Sequence, residues 1–534
     1  MSAPTAGPGR VVVVGSGMAA NRLVESLVSR GVDDITVLGG ERYAPYNRIL
    51  LSAVLEGTHS VDAITLRTPQ WYAERGVDLR LDARVDRLEV AERCVVLVDG
   101  NAVPYDTLVL ATGSLPTLPP IRGLVRLDGR LHDRLHSFRH LDDCLRLSAD
   151  VAGRLARAEA TGGDVRAVVV GGGLLGLQVA RALSIRGVLT EIVEGSEHLL
   201  RSHVGAPAGK ILARNLDRLD TPVYTGARAV SFTDGTESPD ERCGLRLDNG
   251  HTLETDLVVI TAGVRPSVSL GRRAGLEVRR GLVVDDTLTT SDPAVRAIGD
   301  CAEHDGRTSG FVPAAWEQAE LLAARLAGED VRYDGSRVVA RLRATDLDVA
   351  VLGEHEREVA AGGEVVEIAN PIAGTHRRLV VREDRIVAAT MVGDLSRIGL
   401  ITQLFDRRTV LAPHEPGDLL LGDAPVRPVV LTDEAEVCAC AGVTAGRIRA
   451  CSSLETVRET TRATTGCGGC APTVRQLLAQ RGTPGPPGPT APPGPAGTAA
   501  PVGSARQRPR ESPEERPERP ESTERPDSTE GNLR

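Results

Sequence analysis

The sequence predicts an α/β fold with two nucleotide-binding domains in one chain, and three observations carry that prediction. An apolar strand, a glycine turn and a helix occur in succession twice, at Arg10–Val14 onward and again at Ala167–Val170 onward. Each unit leads into a further strand, Ile35–Leu38 in the first and Thr190–Glu194 in the second. Each is also followed by a second buried-looking run that ends in a glycine turn, Tyr105–Ser114 and Thr255–Val264. Two such units 156 residues apart, counted from Gly15 to Gly171, read as separate Rossmann-like domains.

In the first unit, Gly15-Ser-Gly17-Met-Ala-Ala20 has the dinucleotide spacing with alanine in the third small position. Gly15 permits the tight turn, Gly17 lets backbone approach a pyrophosphate, and Ala20 keeps helix and strand close. The helix that begins near Met18 turns its N-terminal amides toward the phosphates, so the unit is expected to hold FAD. The carboxylate expected on the ribose is Glu41, 26 residues past Gly15; a solvated loop carboxylate is the plainer alternative. In the second unit, Gly171-Gly-Gly173-Leu-Leu-Gly176 fills all three small positions, and Glu194 ends the strand 23 residues on. A carboxylate there accepts from ribose hydroxyls and repels a 2′-phosphate, which favours NADH, with NADPH as the alternative donor because Arg201 is near.

The chain is expected to divide into an FAD domain at residues 9–132 and 256–330, an NAD domain at 133–255 and an α+β domain at 331–425. That third domain is built on short strands (Val349–Leu352, Val365–Ile368, Leu379–Val381, Ile386–Val392) and a helix near Leu395–Phe405. A cysteine-rich segment occupies 433–482. The stretch 484–534 holds 13 of the 33 prolines, has no aromatic residue and is expected to be disordered, since it cannot bury enough apolar surface to offset chain entropy.

Five of the nine cysteines fall in the last 97 residues. Cys438-Ala-Cys440, then 26 residues, then Cys467-Gly-Gly-Cys470 offers four thiolates in two close pairs. Four cysteinates satisfy a 2Fe–2S cluster or tetrahedral zinc; glycines that free amides to face inorganic sulfide, and the one-residue gap in the first pair, favour iron. The odd count and tight clustering argue against a disulfide framework. Cys94, Cys144, Cys243 and Cys451 read as ordinary core or surface residues.

A net charge of −9 without basic patches argues against nucleic acid or an anionic membrane as partner. The N-terminus lacks a signal-peptide pattern and no apolar run reaches the roughly 20 residues of a membrane span, so a cytoplasmic location is expected.

These motifs together resemble the electron-input part of NAD(P)H-dependent assimilatory nitrite and nitrate reductases, in which an FAD-dependent pyridine nucleotide reductase precedes a small, mostly helical BFD-like 2Fe–2S domain. The likeness extends over about residues 10–480. Ala44–Ser52, with Arg48, is similar to the family's flavin-proximal segment, and Ala111-Thr112-Gly113 to its second FAD contact. Phe138–Asp143 resembles the entry to the NAD domain, Trp316–Ala319 the helix beside the isoalloxazine, and Ala297–Glu303 the late FAD motif, whose aspartate, here Asp300, holds the ribityl chain. The resemblance also implies Val85 beside the first nucleotide and Gly263 beside the second, with Cys438, Cys440, Cys467 and Cys470 as cluster ligands.

The chain departs from the family at Ala53, where relatives often carry lysine, and at Gln178, where they often carry glutamate. No cysteine follows Cys470 to hold a sirohaem–4Fe–4S pair, which implies a separate catalytic subunit as electron acceptor. Hydride transfer to flavin requires no acid or base, so no catalytic side chain is expected; a homodimer is compatible with the sequence. A disulfide reductase would need paired cysteines beside the flavin, and the first 120 residues hold only Cys94. The other competing readings are a ferredoxin or rubredoxin reductase, an amine or amino-acid dehydrogenase subunit with a cluster relay, and a redox sensor or scaffold. The last has no need of two nucleotide sites.

Overall fold

Four consecutive valines form the strand Val11–Val14, which is buried on both faces at the centre of a five-stranded parallel sheet. β-branched side chains suit such a strand because they pack on both pleated faces at little rotamer cost. Sheet order is Val295–Ala297, Thr107–Leu110, Val11–Val14, Ile35–Leu38, Asp78–Arg80. Val14 pairs with Leu38 on one side and Leu110 on the other, so three strands end together beneath the glycine turn. The helix Met18–Ser29 leaves that turn and packs against the helix Val312–Leu326. The computed structural model describes residues 8–126, 128–234, 242–337, 339–421, 431–438, 441–465 and 470–479.

A second parallel sheet repeats the plan in the order Val223–Thr225, Leu189–Glu194, Arg166–Val170, Leu257–Ile260, Leu135–Ser137. This corrects one expected boundary. Residues 256–260, expected in the returning part of the first domain, supply a strand of the second sheet, because Leu257–Ile260 pairs in register with Ala167–Val170. The crossing back comes later, where Val264–Pro266 pairs antiparallel with Ser114–Pro116.

The third unit is an antiparallel five-stranded sheet, ordered Val339–Ala344, Leu347–Leu352, Arg385–Val392, Thr375–Arg382, Glu364–Asn370. Its first strand was not expected, since the arginines at 341 and 343 break the apolar run. The helix Ile398–Asp406 covers the sheet with Ile398, Ile401 and Phe405. In the cysteine-rich region Glu436–Cys438 pairs with Val443–Thr444, and the helices Ala445–Arg449, Leu454–Thr461 and Ala471–Ala479 close over a small core. The stretch 484–534 lies outside the described residues. Among the described residues no helix is long and apolar enough to cross a membrane.

Candidate functional site

One cleft of about 2370 Å³ collects the first set of expected residues: Gly15, Gly17, Glu41, Arg48, Val85, Ala111, Thr112, Gly113 and Asp300 all line it. Ala20 does not; it is buried behind the turn, as its packing role requires. Gly15 has φ +109°, and a Cβ there would stand 2.3 Å from the Ala111 carbonyl oxygen. Gly17 is different, because a Cβ would meet only Arg48 Nε, at 4.0 Å. Nothing in the side chains caps the helix Met18–Ser29 at Gly17, and its first turn holds no acidic residue.

Asp300 sits in the short turn Gly299–Cys301 and accepts hydrogen bonds from Ser114 Oγ (2.7 Å) and Arg139 Nη2 (2.8 Å). Arg139 is held for this by Asp143, whose carboxylate accepts from the backbone amides of Arg139 (3.0 Å) and His140 (3.1 Å) at the start of the helix Leu141–Thr161.

Glu41 faces the cleft, but its carboxylate is taken by protein partners: Tyr46 Oη at 2.7 Å, the Arg48 guanidinium, and His140 Nδ1 at 3.3 Å. Here Glu41 orients Arg48, whose Nη1 also donates to the Arg139 carbonyl at 3.3 Å. Burial pushes the Glu41 carboxyl up, yet the His140 hydrogen bond, the Arg48 charge and the Tyr46 hydroxyl outweigh it and hold the pKa at about 2. A carboxylate depressed from 4.5 stabilises the fold fully above about pH 4.5, and that contribution is lost as pH falls toward 2. Glu41→Gln should therefore lower stability at pH 7 and lose its disadvantage by about pH 2, read from denaturant midpoints across that range.

The second set does not line this cleft, which touches the second glycine unit at Leu174, Leu175 and Gln178. Gly171 has φ +118°, and a Cβ on Gly176 would stand 1.9 Å from the Gly171 carbonyl oxygen, so helix and turn touch backbone to backbone. Glu194 accepts from the amides of Gly172 (2.6 Å) and Ser196 (2.7 Å) at the end of its strand. Gly173 caps the helix Leu174–Ile185 without a side-chain bond, and Gly263 (φ +93°) turns the chain after Leu257–Ile260, as Gly113 (φ +66°) does after Thr107–Leu110.

Cys438 and Cys470 are buried in one core, and both also line the large cleft. The Thr464 amide donates to Cys470 Sγ at 3.2 Å. Cys440 and Cys467 lie outside the described residues. Trp316 stands where the nucleotide end of the cleft meets the cysteine end; it packs on the cysteine core and its indole N–H donates to the Met18 carbonyl at 3.1 Å.

A model of the pyridine nucleotide-disulphide oxidoreductase family matches residues 9–319, more than half of the chain. The chain belongs to that family. A second model, the BFD-like [2Fe-2S] binding domain, matches residues 436–480. Among curated relatives, the Nitrite reductase [NAD(P)H] of Bacillus subtilis (strain 168) is 30% identical over 485 residues, 88% of this chain and 58% of the relative. The assimilatory nitrate reductase electron transfer subunit of the same organism is 29% identical over 486 residues, 88% of this chain and 59% of that protein. The chain thus spans somewhat over half the length of these relatives. A covalent putidaredoxin reductase–putidaredoxin complex shares the fold, with TM-score 0.67, 24% identity and coverage of 78% of this chain and 96% of that one.

As a member of the pyridine nucleotide-disulphide oxidoreductases the protein is an oxidoreductase that uses FAD and NAD(P)H, and its BFD-like domain implies a 2Fe–2S cluster. The residues present fit these groups. The uncapped helix start and the open floor at Gly17 and Gly113 leave room for a pyrophosphate beside the Arg48 cation. A buried cysteine that already accepts an amide hydrogen bond is in the state a cluster thiolate needs. They fit a dithiol mechanism poorly, since Cys301 is enclosed, forms no disulfide, and burial pushes its thiol up. The sequence reading missed the roles of Ser114, Arg139 and Asp143. The only signal available was a polar cluster directly ahead of a helix, which capping alone explains.

Proposed function

We propose that this chain is the electron-input subunit of an assimilatory nitrite or nitrate reductase, oxidising NADH and passing single electrons to a separate catalytic subunit. The observation that carries this reading is the continuous cleft with Gly15 and Asp300 at one end, Cys438 and Cys470 at the other, and Trp316 on the wall between. Relatives named as nitrite reductases and as a nitrate reductase electron transfer subunit support the choice of acceptor. Bound FAD supplies the conversion from paired electrons to single ones. The chain's own residues hold and exclude. The turn Gly15–Gly17 and Arg48 receive the FAD pyrophosphate, Asp300, steadied by Ser114 and Arg139, receives its ribityl chain, and Val85 and Ala111–Gly113 flank it. Gly171, Gly173, Gly176 and Gly263 shape the NADH seat. Cys438, Cys440, Cys467 and Cys470 hold iron.

Anaerobic titration of the purified yellow-brown protein with NADH should bleach the flavin bands and then develop the electron paramagnetic resonance signal of a reduced 2Fe–2S cluster. A colourless protein that carries one zinc ends the proposal. NADH should exceed NADPH in kcat/KM by about tenfold or more, ~1.4 kcal/mol in the barrier. Glu194→Gln removes the charge yet keeps an acceptor for the Gly172 amide, so it should narrow that ratio chiefly by improving NADPH. An unchanged ratio would take Glu194 out of the nucleotide site.

A further inference from the structure

Three contacts from the first nucleotide-binding domain fall on described residues next in sequence to the two cysteine pairs. Met18, Arg22 and Glu25 lie at i, i+4 and i+7 on the helix Met18–Ser29, and therefore on one face. The Met18 carbonyl holds Trp316, and Arg22 lies over the Trp316 ring, 5.8 Å from its centroid. Arg22 also reaches Gly442, two residues past Cys440 in the chain, where a Cβ would stand 3.7 Å from its Nη2. Glu25 pairs with Arg462, which follows the helix Leu454–Thr461 in a left-handed conformation (φ +61°). Arg67 Nε at 2.7 Å and Asn21 Nδ2 at 3.1 Å donate to the same Glu25 carboxylate oxygen, Oε1, that Arg462 engages, and the Tyr72 hydroxyl pins Asn21 at 2.9 Å. The third contact comes from Asn47, 1% exposed and next to Arg48, whose Nδ2 donates to the Thr465 carbonyl at 2.7 Å. Residues 462–465 lead directly into Cys467, and Thr464 in that segment donates to Cys470 Sγ.

We infer that Glu25 and Arg462 are positioning residues that clasp residues 462–465, which precede Cys467 and Cys470 in the chain, to the helix whose first turn receives the FAD, so that the cluster domain works from a fixed dock. This rests on the proposed function, because it gives the clasp an electron-transfer step to serve. A charge pair largely shielded from water, with side-chain exposures of 14% and 18%, is a stronger tether than an exposed surface pair. A one-electron transfer falls steeply with separation, so a loosened loop slows the step from flavin to cluster and leaves the step from NADH to flavin alone.

The test uses the full chain, with rapid mixing against NADH, flavin bleaching and cluster reduction followed separately, and cluster content measured by the paramagnetic signal after dithionite. In Arg462→Gln, flavin bleaching should keep its wild-type rate while cluster reduction slows about tenfold, equivalent to ~1.4 kcal/mol. Hydrogen exchange across residues 462–465 should rise, and Arg462→Lys should restore most of the rate. Glu25→Gln acts on the same pair from outside the cluster domain and should give the same separation of the two steps with cluster content intact. The double variant Glu25→Gln/Arg462→Gln should be no slower than either single one. Unchanged cluster reduction in Glu25→Gln, or equal slowing of both steps, overturns the clasp. A wild-type cluster that NADH does not reduce at all overturns the proposed function instead, a result visible before any variant is made.

Discussion

Cys470→Ser is expected to leave NADH bleaching the flavin at the wild-type rate while electron delivery to cytochrome c or to the catalytic subunit falls about a hundredfold or more, at least ~2.7 kcal/mol of barrier. The two effects separate because Cys470 belongs to a core of its own. Among the described residues that core buries ten side chains, Cys438 and Cys470 included. A module so small buries too little apolar surface to be stable alone, so its metal contributes folding free energy as well as redox chemistry. Replacing the thiolate with a hydroxyl should remove the broad visible absorption and the paramagnetic signal. It should also open residues 431–479 to proteolysis while residues 9–421 stay resistant. If cytochrome c reduction continues at the wild-type rate, the cluster is off the electron path.

What the sequence made legible follows from how locally each feature is encoded. The runs Val11–Val14 and Ala167–Val170 announce buried parallel strands on their own, because a central strand is apolar on both faces. The glycines at 15, 17, 171 and 173 are legible for a related reason: backbone geometry there depends on the few residues on either side. Boundaries were less legible. Leu257–Ile260 reads as a strand from its residues, but which sheet it joins depends on pairing with Ala167–Val170, about ninety positions away. The polar site was least legible of all. Glu41 has the right residue type at a plausible distance from Gly15, yet nothing near it in the sequence reveals that His140, 99 positions on, would share its carboxylate with Arg48. Arg139 reaches Asp300 across 161 positions. Long-range polar pairs leave no periodic trace, whereas strands and helices do.

Gly15 and Gly17 offer the sharpest separation of fold from cofactor binding, because the two glycines of one motif are needed for different reasons. At Gly15 the backbone is left-handed (φ +109°) and an added methyl would lie 2.3 Å from a main-chain oxygen of Ala111, which cannot yield without moving the strand Thr107–Leu110. Gly15→Ala should therefore cost about 3 kcal/mol or more of stability even without flavin, and the purified protein should lack FAD. Gly17 has an ordinary extended backbone (φ −77°, ψ −170°) and open space where the methyl would go. Gly17→Ala should leave the flavin-free protein within about 1 kcal/mol of wild type. The methyl would, however, occupy the approach of a pyrophosphate to the helix N-terminus, so FAD affinity should fall about a hundredfold. Denaturant unfolding of the flavin-stripped proteins, paired with fluorescence titration of FAD, reads both quantities on the same samples. Should Gly17→Ala retain a full complement of tightly held FAD, the pyrophosphate does not lie over this turn, and the floor of the cleft at Gly17 serves something else.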